Sequence, residues 1–293
     1  MIVFINIIFN MRQIIIIFFL QLYNNVKRSN LLRNIIKQLY GTRKFVLKFN
    51  NFKIYASTSS AIESNIIFNS YNEIIILKVI EQYATKGYNF IDIGANIGLH
   101  SISAAKCNTE IEILSFEPET NNFNCFIRNI VLNGFENIRP FKMGLGNFKG
   151  TVAMNINQEW NKGKHSLKVN FGENTKKLNI PVTRLDDFKE FIHCDNLLIK
   201  IDVEGFEKEV IEGGQKIISS VKQGAIIIEL LEEINGIDVC KSIVETLIEN
   251  EFNAIYKVNE KNQFVSVNEF QGSADYIFLK GNDAQILFDN FNK

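Results

Sequence analysis

The segment LLIKIDVEGFEKEVIEGG, Leu197 to Gly214, is largely apolar at first and then turns acidic. In an extended strand Lys200, Asp202 and Glu204 alternate with Ile201 and Val203, which puts the charged groups on one face. Acids at the end of an apolar strand are costly to bury unless they are paired or used. Asp202 and Glu204 are therefore candidate catalytic groups, able to take a proton from an acceptor or to face a cation. Pairing of Asp202 with Lys200 is the purely structural alternative. Glu207 and Glu209 fall in the first turn of the next helix, where carboxylates suit the helix dipole. His165, in the polar stretch KGKHS, is a second candidate base because imidazole titrates near neutrality. Loop histidines are commonly just solvated. Asp202 and Glu229 end neighbouring core strands and would offer oxygen ligands to magnesium, although two acids are equally expected beside a cationic ligand.

A second constellation lies upstream in NFIDIGANIGLHS, Asn89 to Ser101. An apolar strand passes through Gly94 and Gly98 and continues as a helix. Asp92, Gly94, Asn96 and Gly98 then stand at the carboxyl end of a strand, where open α/β sheets bind ligands. Gly94 permits a sharp turn, and Gly98 lets a helix N-terminus approach a bound group. Asn96 is among the few residue types that tolerate positive φ. A plain strand-to-helix turn would use the same glycines. The next strand ends in SFEP, placing Glu117 twenty-three residues after Gly94. An acid there accepts hydrogen bonds from ribose hydroxyls. The turn is G-x-x-x-G and not G-x-G-x-x-G, which disfavours a dehydrogenase. The D-x-G-x-x-x-G form favours S-adenosylmethionine, whose sulfonium and amino acid part call for a polar, partly acidic pocket. The expected cofactor set is Asp92, Gly94, Asn96, Gly98, Glu117 and Asp202.

These residues need a scaffold. From Tyr88 onward short apolar runs alternate with helical patterns: FIDIG, IEILSFEP, IRPFKMGLG, NLLIKIDVEG and AIIIELL are the strands. That alternation predicts a parallel α/β sheet buried on both faces. NAIYKV and ADYIFLK, with no clear helix between them, predict a terminal antiparallel hairpin. GTVAMNI reads as a strand of an inserted hairpin, residues 157–179 as loop, and LDDFKEFI as a short helix. Upstream, KFVLKFNNFKIYAS predicts a β-hairpin turning at Asn50-Asn51, and Tyr71 to Thr85 a helix.

FIDIGANIGLHS, SFEPETNNFN, RLDDF and above all IKIDVEGFEKEVIEGG resemble the FkbM-type S-adenosylmethionine-dependent methyltransferases over roughly Tyr71 to Lys280. The resemblance implies a class I methyltransferase (Rossmann-like) fold, with a mostly parallel seven-stranded sheet. It implies O-methylation of a hydroxyl, often on sugars, glycolipids or polyketide-like products. It places the cofactor on Asp92, Gly94, Asn96, Gly98 and Glu117, and Asp202 and Glu204 at the reaction end of the cleft. His100 receives no fixed role. Two further readings stand beside this one. A non-catalytic S-adenosylmethionine-binding module would share the turn. Methyl transfer to a nitrogen of a nucleic-acid base would call for a D-P-P-Y-type tetrad where this chain has DVEG.

The chain has 293 residues, 46% hydrophobic and 22% charged, with zero net charge. That balance supplies no basic excess for nucleic acid, so a small-molecule or glycan acceptor is expected. Cys107, Cys125, Cys194 and Cys240 form no C-x-x-C, and the three histidines form no H-E-x-x-H, so no metal centre is expected and a divalent metal is not required. Reduced thiols fit a cytoplasmic setting. Residues 1–23 are mostly apolar and long enough to span a bilayer, but Arg12 would cost about 2.5–3.5 kcal/mol at its centre. This segment is a candidate membrane anchor, or Met11 is the true start. The expected organisation is an apolar segment over 1–25, a helix and hairpin cap over 26–85, the methyltransferase domain over 86–282 and a tail over 283–293.

Overall fold

The computed structural model describes residue 15 and residues 30–40, 44–57, 61–68, 74–157, 165–166, 175–193 and 195–291. The candidate anchor over 1–23 and Cys194 lie outside the described residues. Among the described residues no helix is long and apolar enough to cross a membrane.

The chain opens with helix α1 (Asn30–Tyr40), hairpin β1 (Lys44–Phe49) and β2 (Phe52–Ser57), and helices α2 (Ala61–Ile67) and α3 (Ile74–Thr85). Asn50 and Asn51 both take positive φ, 40° and 68°, as a tight two-residue hairpin turn requires. The cap is not a separate body. Ile36, Phe45, Phe52 and Ile54 share one hydrophobic core with Phe90 and Phe126 of the main sheet and its helices. The amides of Lys53 and Tyr55 donate to the Asn133 and Asn129 side chains at 2.8 and 2.6 Å, so β2 is tied directly to a helix of the main domain.

Next come β3 (Asn89–Ile93), α4 (Leu99–Cys107), β4 (Ile113–Phe116), α5 (Thr120–Asn133) and β5 (Ile138–Phe141). A small inserted sheet follows, made of β6 (Gly144–Leu145), β7 (Gly150–Asn157), β8 (His165–Ser166) and β9 (Thr175–Thr183), in the order β6-β9-β7-β8. The loop expected over 157–179 is therefore partly strand. Its polar residues alternate with Leu178 and, beyond it, Ile180 and Val182, so only one face is apolar, and the stretch reads as polar in sequence. A 3-10 turn (Leu185–Phe191) leads to β10 (Asn196–Ile201), α6 (Glu207–Gly213), α7 (Gln215–Ser220), β11 (Gln223–Leu230), α8 (Glu232–Asn235) and α9 (Ile237–Glu249). The chain closes with β12 (Ala254–Val258), β13 (Phe264–Val267), β14 (Ala274–Lys280) and α10 (Asn282–Phe291).

Among the described residues the main sheet has eight strands in the order β13-β12-β14-β11-β10-β3-β4-β5. The run from β11 to β5 is parallel, and β14 enters antiparallel between β11 and β12. This is the class I methyltransferase arrangement. β13 is an additional edge strand, paired antiparallel with β12, which the expected terminal hairpin did not include. Residues 282–291 form a docked helix where a tail over 283–293 was expected: Ala284 and Phe288 are buried, and the Phe288 ring lies tilted to Tyr256 and edge-on to Phe264 with ring centroids 4.4 and 4.8 Å away.

The sheet divides the apolar residues by strand parity. Phe90, Leu198, Ala225, Ile227 and Ile277 face the α3, α4 and cap side. Ile91, Ile93, Ile199, Ile226 and Ile228 face the α6, α7 and α9 side. By the period of two, Asp92, Lys200, Asp202, Glu229 and Asp275 continue the first set at or near the strand ends that meet the β3–α4 turn.

Candidate cofactor and catalytic site

The turn after β3 is set by backbone crowding. Gly94 has φ +87°, and a Cβ there would lie 1.8 Å from the Asp202 carbonyl oxygen. The Gly94 and Ala95 amides both donate to the Phe116 carbonyl at 3.0 Å, and the Asp202 amide donates to Ile93 O at 2.9 Å. Three strand ends, β3, β4 and β10, thus converge on a position that only glycine can occupy. Asn96 takes φ +53°, as its residue type allows. Gly98 has φ +85°, and a Cβ there would meet the Phe126 ring at 1.9 Å. Sequence reasoning gave Gly98 the task of approaching a ligand; its nearest demand is packing of α4 on α5.

Asp92, one of the expected cofactor set, is fully buried beneath the turn. Its Oδ2 accepts from the Ser101 hydroxyl at 2.5 Å, and Ser101 meets Ser115 at 2.8 Å. Asp92 braces β3, α4 and β4 beneath the turn. Burial pushes its carboxyl up, and the Lys200 charge opposes this. Its Oδ1 has no hydrogen-bond partner among the described residues. His100 is buried nearby; burial, and then the Lys200 charge, hold its imidazole well below the ordinary range.

Glu117 stands at the end of β4, directly beside the turn. Its Oε2 accepts from the Asn96 amide at 2.9 Å and its Oε1 from the Glu119 amide at 2.7 Å. Burial pushes its carboxyl up to about 8, with the two amide bonds opposing the shift and Glu119 and Asp92 adding to it. Glu119 is itself the N-cap of α5, accepting from the Asn122 amide at 2.7 Å. The Asn96 Oδ1 is buried with no hydrogen-bond partner among the described residues, an open acceptor at this turn.

The acids at the end of β10 do assemble. Lys200 Nζ holds Asp202 Oδ2 at 2.7 Å, and the Asp202 side chain remains 30% exposed. Oxygen atoms of Asp202, Glu204 and Glu229 lie within 4.8 Å of one another. Such a set is able to accept a divalent cation or to face a cationic ligand. Glu229 pairs across β11–β14 with Asp275. Burial, then Asp202, Asp275 and Glu204, push the Glu229 carboxyl up to about 9, with Lys200 opposing. Glu204 has φ +53° and Gly205 φ +108°, so the loop folds back sharply after Asp202. Glu207 accepts from the Gly205 and Val203 amides at 3.0 and 3.3 Å and from Asn235 Nδ2 at 2.9 Å.

His165 is placed by its backbone in β8, where it pairs with Ile156 in the inserted sheet. Its imidazole falls outside the described residues. Glu229 is the member of the cluster that sequence reasoning placed only as a metal partner of Asp202. Its parity in AIIIELL was the available signal.

Residues 92–278 match the family model described as the methyltransferase FkbM domain. "Methyltransferase 1" of Beauveria bassiana is 26% identical over 185 residues, covering 56% of this chain and 72% of that protein. "Hexuronic acid methyltransferase AglP" of Haloferax volcanii is 26% identical over 190 residues, covering 65% of this chain and 74% of that protein. Among solved structures, M. jannaschii TYW2 in complex with AdoMet superposes with a TM-score of 0.43 at 11% identity, over 80% of this chain and 84% of that one.

Proposed function

The chain belongs to the FkbM methyltransferase family, and from that premise we propose that it methylates a hydroxyl on a sugar, glycolipid or secondary metabolite, using S-adenosylmethionine. The observation that carries the cofactor reading is the pairing of two acidic ends on one sheet edge. Glu117 offers a carboxylate where a ribose would sit. The carboxyl groups of Asp202, Glu204 and Glu229 gather where a cation would be held. A pyrophosphate would be repelled there, whereas a sulfonium and an ammonium fit.

Bound S-adenosylmethionine supplies a methyl group on a positively charged sulfur that departs as a neutral thioether. The chain's own task is mainly alignment, because the leaving group is already activated. Glu117 orients the ribose, and the Gly94–Gly98 turn keeps the backbone close. Asp202, fixed by Lys200, faces the positive end. A hydroxyl acceptor must also lose its proton. Asp202, held by Lys200 at 2.7 Å, and Glu204 are the candidate acceptors of that proton, with His165 as a further candidate. The inserted sheet and the N-terminal cap shape the acceptor side. The name of the Haloferax relative supports a sugar-type acceptor.

The test is transfer of an isotope-labelled methyl group from S-adenosylmethionine into glycan and small-metabolite fractions. We expect a product whose methyl carbon resonates as an O-methyl ether and survives base. A base-labile ester or an N-methyl signal would overturn the hydroxyl assignment.

A further inference from the structure

We propose that Glu207 is a positioning residue: it ties the loop that carries Asp202 and Glu204 to α8, the short helix that follows Glu229 and β11, and so fixes the pocket for the methionine end of the cofactor. This rests on the cofactor reading above and extends it to a residue that sequence reasoning assigned only to the helix dipole.

Glu207 is 2% exposed, and its carboxylate does more than favour the first turn of α6. One oxygen, Oε1, receives the amides of Val203 and Gly205, which flank Glu204 on both sides. Glu204 therefore sits at the crest of a loop whose two neighbouring amides are pinned to a single atom. That arrangement sustains φ +53° at Glu204, a conformation disfavoured for a residue with a side chain. The other oxygen, Oε2, receives Asn235 Nδ2 from α8, the short helix that follows β11. Glu229 lies on β11 just before that helix. One buried carboxylate thus spans from the loop bearing Asp202 and Glu204 to the segment that follows Glu229. An α6 glutamate serving only the dipole would need none of these bonds.

The donors determine which substitution will be tolerated. In Glu207→Gln the amide oxygen still accepts from Val203 and Gly205. The amide nitrogen then faces Asn235, whose Oδ1 is buried without a hydrogen-bond partner among the described residues. Turning the Asn235 amide over supplies that oxygen as acceptor, so the clamp re-forms. Glu207→Ala removes both ends of the clamp.

The experiment is calorimetry on the full-length protein with two ligands. S-adenosylmethionine reads both ends of the pocket; 5′-methylthioadenosine, which lacks the amino acid part, reads the Glu117 end. For Glu207→Ala we expect about tenfold or greater loss of S-adenosylmethionine affinity, the scale of a lost charge-assisted contact. Methylthioadenosine affinity should stay as in the wild type, and Glu207→Gln should keep both. Unchanged S-adenosylmethionine affinity in Glu207→Ala, or equal loss of both ligands, would overturn the positioning role. Should Glu207→Ala not accumulate as folded protein, Asn235→Ala carries the same test: selective weakening of S-adenosylmethionine supports the clamp, and none overturns it. Failure of the wild type to bind S-adenosylmethionine would instead overturn the cofactor reading itself.

Discussion

Glu117 sits between two backbone amides, yet burial dominates and pushes its carboxyl up to about 8. A carboxyl raised in this way stabilises the ligand-free fold below its ordinary range, and that contribution is lost as the pH rises through about 8. Ribose hydroxyls donate hydrogen bonds, so they favour the ionised form. Affinity for 5′-methylthioadenosine should therefore climb between pH 6 and 8, approaching about tenfold per unit, and level off above. Glu117→Gln should flatten that profile; a wild-type affinity independent of pH would contradict the assignment. Glu117 was legible in the sequence because strand, turn and acid lie within one short span. Asn96 was legible too, since positive φ follows from its residue type and place. The placing of Asp202 and Glu229 at the ends of neighbouring strands was legible. That Glu204 joins them was not, because it depends on the sharp fold-back of the loop, with φ +53° at Glu204. The burial of Asp92 was not legible: a polar residue before a glycine turn reads the same whether it faces a ligand or braces a helix.

At the scale of elements, the parallel strands announced themselves as apolar runs, and their carboxyl ends carry every group of the proposed site except the turn itself. Elements with one wet face were harder to see. β9 reads as a polar stretch, β13 as part of a connection, and α10 as a tail. The cap shows the same difficulty in another form. Its hairpin was visible, but not that Ile54, Phe45 and Phe52 complete the core over α5. A truncation starting near Lys27 should therefore remain soluble, whereas one starting near Ile74 should aggregate, because it strips the cap side chains from the core around Phe126. Ile54→Ala alone should cost about 2–5 kcal/mol in denaturant unfolding. A stable protein lacking residues 1–73 would show that the cap is dispensable.

At the scale of the whole molecule, the carboxyl ends of the central strands carry Glu117 on one side and the Asp202, Glu204 and Glu229 cluster on the other. The glycine turn lies between them, where β3, β4 and β10 converge. The strand order places these parts side by side although they are far apart in the chain. The family match to the FkbM domain over residues 92–278 agrees with that geometry. The most direct measurement is calorimetric titration of S-adenosylmethionine into the wild type and Glu117→Ala. Saturable one-to-one binding is expected, weakened about ten- to a hundredfold in the variant, as loss of a charge-assisted hydrogen bond dictates. Equal affinity in the two proteins, or no binding by the wild type, would contradict it.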